Sequence, residues 1–70
     1  MSDNTYAVSE IVGTSTESIE AAVRNALSRA SKTLRNLDWF ELVGVRGQIG
    51  DDGRVAHYQA TLKIGFRLED

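Results

Sequence analysis

Apolar and polar residues alternate at both ends of this chain, and between them the spacing changes. From Thr5 to Val12, after a polar start at Met1 to Asn4, Tyr6, Val8 and Val12 fall on one face and Ala7, Ser9 and Ile11 on the other. A period of two with β-branched residues predicts a strand. Glu10 breaks the first face, where a carboxylate suits a sheet margin, a polar contact, or a salt bridge inside a subunit interface. From Ser18 to Leu37 the steps become three and four: Ile19, Ala22, Val23, Ala26, Leu27, Ala30, Leu34 and Leu37 form one stripe. That predicts a helix of about 20 residues, roughly 30 Å long. Its other side carries Glu20, Arg24, Ser28, Ser31, Lys32 and Arg35, with the cations toward the C-terminal end, as the helix dipole favours. Alternation returns from Trp39 to Ile49 and from Arg54 to Leu68, with Gly50-Asp51-Asp52-Gly53 between them. Asp-Gly flanked by strand pattern predicts a hairpin. The expected fold is therefore α+β: a β-α-β-β chain whose three-stranded antiparallel sheet packs on one long helix, in a single domain over residues 1–70.

The first junction offers several helix starts. In Gly13-Thr14-Ser15-Thr16, Thr14 with Glu17 has the spacing of a capping box, and Gly13 reads as a turn residue. One glycine before a helix is too little for a phosphate loop.

Strand faces carry the functional information. In the last strand Ala56, Tyr58, Ala60, Leu62, Ile64, Phe66 and Leu68 share the face that must lie under the helix. Val55, His57, Gln59, Thr61, Lys63, Gly65 and Arg67 share the other face, which an antiparallel sheet can leave uncovered. The middle strand puts Phe40 and Leu42 inward and turns Trp39 and Glu41 outward. Strict alternation would then bury Arg46 and Gln48. A bulge at Val43-Gly44-Val45 repairs this by swapping the faces, so that Val45 and Ile49 point inward and Arg46 and Gln48 outward. On this reading Trp39, Arg46, His57, Gln59 and Arg67 all occupy the helix-free face.

Composition narrows what such a face can do. A chain of 70 residues supports only a thin core, and chains of this size add disulfides, a metal or self-assembly. There is no Cys and one His, which removes disulfides and the usual zinc ligand sets and leaves self-assembly. A net charge of −2 with scattered cations gives no nucleic-acid footprint. Without a leader pattern or a membrane-length apolar run, a soluble cytoplasmic protein is expected. Catalysis finds little support. His57 has no evident partner, there is no serine elbow, and Asp51-Asp52 sits in the hairpin turn. Gly44, Gly47 and Gly50 precede no helix, so they are not a phosphate loop. Neither catalytic nor metal-ligating residues are expected.

Binding is better served. An indole, an amide and guanidinium groups on one sheet face suit a flat heteroaromatic ligand carrying phosphate. Trp39 would stack, Gln59 would meet the edge of a uracil-like ring, and Arg46 or Arg67 would fork onto the phosphate. From pattern alone, such a Trp39 is more often an interface or core residue, Gln59 more often a solvated strand residue, and the arginines more often surface charges or inter-subunit partners.

Four separated segments resemble the dodecin family: Glu10-Ile11-Val12-Gly13-Thr14-Ser15, Leu37-Asp38-Trp39-Phe40-Glu41, Arg46-Gly47 and Gly65-Phe66-Arg67-Leu68-Glu69. With the element order they span nearly the whole chain. The resemblance implies a flavin-binding protein of bacterial type that assembles into a hollow homo-dodecamer. In that family flavins are held in pairs between symmetry-related tryptophans, here Trp39, with Gln59 at the ring edge, Arg46 near the flavin, and Arg67 at the flavin or a subunit contact. The implied cofactor is FMN, with riboflavin or FAD as alternatives and coenzyme A as a further ligand. The implied role is storage, buffering and quenching of photoexcited flavin. The alternatives are a structural oligomer or coenzyme A binder, and a small flavin-dependent reductase.

Overall fold

The computed structural model describes residues 3–69, so Met1 and Ser2 of the polar start lie outside it, as does Asp70. Four elements follow in order: β1 (Tyr6–Ser15), α1 (Ile19–Ala30), β2 (Leu37–Ile49) and β3 (Val55–Arg67). β3 is the central strand, antiparallel to β1 on one side and to β2 on the other. The expected β-α-β-β order and three-stranded antiparallel sheet under one helix are both present.

The helix is shorter than the stripe of apolar residues suggests. It ends at Ala30 with Ser31 as its C-cap, not at Leu37. Ser31 Oγ donates to the Ser28 carbonyl at 2.8 Å, and the Lys32 and Thr33 amides fold back three residues onto Arg29 and Ala30. Such local bonds compete with a continuing helix. Asn36 then takes a left-handed φ of 62°, and Leu37 opens β2 opposite Phe66. Leu34 and Leu37 still pack against the core, which is why the stripe runs on past the helix. The N-terminus also moves. Ser18, not Thr14, is the N-cap, its Oγ accepting from the Ala21 amide at 2.9 Å, while Thr14 stays in β1. β1 accordingly runs to Ser15, beyond the expected end at Val12.

Gly13 is no turn residue. It is buried inside β1, where a Cβ would collide with the Ala22 carbonyl oxygen and lie 2.7 Å from Ala26 Cβ. Its missing side chain lets α1 cross β1 at backbone contact, and Ala22 and Ala26 facing it, with Ala30 one turn further along α1, complete a close seam.

That seam is most of the core. Besides the alanines, Leu62 and Ile64 of β3 are the large side chains fully buried among the described residues. The helix covers β1 and β3, but β2 extends past it. Phe40 and Leu42, on the helix side of β2, remain 48% and 46% exposed. The chain is 57 Å long, with a radius of gyration of 14.7 Å. A compact domain of 70 residues would have about 11 Å. One protomer is thus a long open sheet with too little of its own chain to cover it.

Candidate ligand-binding face

Gln59 and Arg67 reach the helix-free face by plain alternation along β3, Trp39 and Arg46 by bulges in β2. Trp39 gets there through a bulge that periodicity did not reveal. Leu37 pairs with Phe66 and Trp39 with Gly65, so Asp38 is an extra residue in the ladder. Were Asp38 paired in regular register, Trp39 would share the face of Leu37, against the core; because Asp38 is bulged out, the indole turns to the other side. Arg46 gets there through the expected bulge: Leu42 pairs with Leu62 and Gly44 with Thr61, leaving Val43 as the extra residue. Val45 then pairs with Ala60 on the helix side and Arg46 with Gln59 on the open side. A further shift after Gln48 pairs Ile49 with Val55. Ile49 is 74% exposed, so its expected place in the core is corrected.

At one end of this face the indole of Trp39 lies over Gly65. A Cβ on Gly65 would run into Trp39 Cε2 and Cζ2 and sit 2.6 Å from Cδ2, so the ring occupies the space of the absent side chain. Tyr6, from the far edge strand, stands beside it with ring centroids 6.3 Å apart and planes tilted by 51°. Its hydroxyl donates to Asp38 Oδ2 at 2.8 Å. That bond, with some desolvation and the Asp38 charge, raises the Tyr6 phenol above its ordinary 10.0, against smaller opposing effects from Asn4 and Arg67. Arg67 pairs with Tyr6, so it belongs to this end. Its backbone is pinned by Asn36, whose carbonyl accepts from the Arg67 amide at 3.0 Å and whose Nδ2 donates to the Arg67 carbonyl at 3.2 Å.

At the other end Arg46 Nε donates to Gln59 Oε1 at 2.5 Å. That engages the amide oxygen, so Gln59 presents its NH2 donors and Arg46 its terminal nitrogens. His57 lies opposite Gln48 nearby. Between the two ends Lys63 stands in register with Glu10 on β1 and Glu41 on β2. Glu10 is therefore an edge-strand residue on the open face, across from a cation.

The expected cluster is thus one face but two groups. Along β3, Gly65 under Trp39 and Gln59 beside Arg46 are six residues apart, roughly 20 Å at about 3.3 Å per residue. Trp39 and Arg67 lie at one end, and Arg46 and Gln59 are paired at the other. One protomer does not bring both groups onto a single ring system.

The two ends lie on an open sheet face. Grooves lie elsewhere, one of about 360 Å³ between α1 and β1, lined by Ile11, Ala26, Arg29 and Leu34 among others. Another, of about 300 Å³ and mostly apolar, lies at Leu27, Leu37, Phe40 and Ile64, with Trp39 at its margin. Among the described residues no group of three His, Cys, Asp or Glu is placed to hold a metal ion, and no helix is long and apolar enough to cross a membrane.

Comparison with known proteins gives a consistent result. The family model described as Dodecin matches residues 5–69. A curated relative, the dodecin of Thermus thermophilus, is 57% identical over 65 residues, which cover 93% of each chain. The solved dodecin of Streptomyces coelicolor is 63% identical with a TM-score of 0.93, covering 100% of this chain and 99% of that one. A Thermus thermophilus dodecin in which a tryptophan is replaced by phenylalanine is 53% identical with a TM-score of 0.90, covering 97% and 100%. The same protein has been solved with either of two arginines replaced by alanine.

Proposed function

This chain belongs to the dodecin family, and from that premise we propose that it binds FMN without turning it over, as a flavin store and quencher. The observation that carries this reading is the Trp39 indole, 42% exposed and turned by the Asp38 bulge onto a face that its own helix leaves bare. An aromatic of that size stabilises a bound planar ring by offset stacking. Bound FMN would supply the isoalloxazine that stacks and the phosphate that needs cations. Trp39 supplies the platform, Gln59 the amide donors for ring carbonyls, and Arg46 or Arg67 the forked donors for phosphate. The substituted tryptophan and arginines of the Thermus relative are of the same residue types.

Assembly follows from the same geometry. With the Trp39 end and the Arg46 end some way apart on one protomer, a site using both takes them from different copies. A twofold contact would also bring two Trp39 side chains face to face. Exposed Phe40, Leu42 and Val45 along β2 give an apolar strip for a neighbouring copy, and a hollow dodecamer is the arrangement the family resemblance implies. Riboflavin and FAD share the stacking ring, and coenzyme A shares the phosphates, so both classes belong in the test.

Titration of the native particle with FMN, followed by flavin fluorescence and particle mass, tests the reading. Quenched fluorescence in a particle of dodecamer mass is expected. For Trp39→Ala the loss of one stacked aromatic, about 1–3 kcal/mol, is expected to weaken FMN roughly tenfold to hundredfold. An oligomer that leaves FMN fluorescence unchanged would instead make Trp39 an interface residue. Turnover of a reduced nicotinamide by the loaded protein, abolished in His57→Ala, would make it a reductase.

A further inference from the structure

We propose that Gly65, Tyr6 and Asp38 are positioning residues that together fix the orientation of the Trp39 indole. Only the consequence for ligand affinity rests on the flavin reading; the positioning is a property of the chain itself.

Two of them bound the ring on different sides, and the third holds one of those two in place. Gly65 is the floor: its cross-strand position opposite Trp39 and its lack of a Cβ let the indole lie against the β3 backbone. In a strand interior glycine weakens pairing, so a glycine at this position has a reason in what approaches it. Tyr6 is the side wall. It comes from β1, two strands away, and its ring meets Trp39 within the range of favourable tilted aromatic pairs. Asp38 ties the wall down, accepting the Tyr6 hydroxyl 32 residues away in sequence. Because Asp38 is also the bulged residue, one position both turns Trp39 outward and anchors its neighbour. An exposed Trp on an open sheet would otherwise sample several rotamers. Walls on two sides hold one of them, which lowers the ordering cost that a stacked ligand must overcome.

The test uses the full chain first without flavin and then with FMN. In the flavin-free protein, Gly65→Ala is expected to displace the ring and collapse the near-ultraviolet circular dichroism of Trp39. Tyr6→Ala is expected to diminish it strongly, and Tyr6→Phe to keep most of it, since the ring contact survives. Asp38→Asn, which retains an acceptor oxygen, is expected to rescue what Asp38→Ala loses. Far-ultraviolet spectra and thermal unfolding establish which variants fold; if Gly65→Ala does not, the Tyr6 and Asp38 pairs decide. FMN affinity is expected to fall at least fivefold wherever the Trp39 signal collapses. Unchanged Trp39 dichroism in Tyr6→Ala and Asp38→Ala overturns the proposal. So does unchanged FMN affinity when that signal is lost in a parent that binds FMN. Collapse of the signal in a chain whose parent binds no FMN supports the positioning while overturning the flavin reading alone.

Discussion

The two ends of the uncovered sheet face are built to different standards. At the Trp39 end three strands contribute: a bulge at Asp38, a tyrosine from β1, and a glycine in β3 whose side-chain space is taken by the indole. At the Arg46 end there is a cross-strand pair in register, Arg46 to Gln59, joined by one side-chain hydrogen bond. The contrast follows the chemistry. A stacking ring works at one angle, so its rotamer needs walls. A guanidinium and an amide reach for partners over a range of rotamers, so the correct face suffices. What the ends share is the means of choosing that face, since each depends on an extra residue in β2 just ahead of it, Asp38 before Trp39 and Val43 before Arg46.

The sharpest way to break this comparison is Arg46→Ala. That removes the guanidinium from the open face and leaves the ladder in register, while Trp39 lies upstream and keeps Gly65 as its partner. FMN titration is expected to show affinity more than tenfold lower, because a hydrogen bond to a charged group contributes about 1.5–3 kcal/mol. The near-ultraviolet signal of Trp39 is expected to persist. Undiminished FMN binding in this variant would mean that the Arg46 end has no part in the site.

A smaller effect separates the pair from the face. In a double-mutant cycle of Arg46→Ala and Gln59→Ala, followed by urea unfolding, the coupling is expected at about 0.2–1 kcal/mol, the usual range for cross-strand pairs. A coupling well above that would show the Arg46 end to be as constrained as the Trp39 end.

How much of this was legible in the sequence depends on the range of the interaction. The order of elements along the chain, the open face and the Val43 bulge follow from alternation and one glycine, all local signals. The helix end was not legible, because Leu34 and Leu37 touch the core from a turn and a strand at the same spacing that a helix would give. That overlap also hid the Asp38 bulge, since Leu37 was absorbed into the helical stripe. Gly13 and Gly65 are ordinary glycines in sequence, and only the elements laid across them, α1 and Trp39, show why no Cβ fits. The Tyr6–Asp38 bond joins residues whose meeting depends on the order β1-β3-β2. The four candidate site residues were placed on the correct face. Their division into two groups could be counted only once the register was known, since Gln59 and Gly65 are six residues apart on one strand.

The mildest probe of the contrast is pH, which acts at one end only. The Tyr6 phenol is raised above 10.0 chiefly by its hydrogen bond to Asp38, then by desolvation and the Asp38 charge, with Asn4 and Arg67 pulling the other way. For a group whose folded value is raised, the neutral form is the one the fold favours. Its contribution is therefore complete below the unfolded value near 10 and is lost as pH rises through the folded one. Trp39 dichroism is expected to hold steady to about pH 10 and to change above it as the phenolate is repelled by Asp38. Ultraviolet titration should show a phenol ionising later than free tyrosine in the parent and at a lower pH in Asp38→Ala. At the Arg46 end no phenol stands in the pair, so the coupling between Arg46 and Gln59 is expected to be the same on either side of that transition in any pH range where the fold survives. A Trp39 signal that moves well below pH 10, with no tyrosine ionising, would show that the Tyr6 hydroxyl does not hold the wall in place.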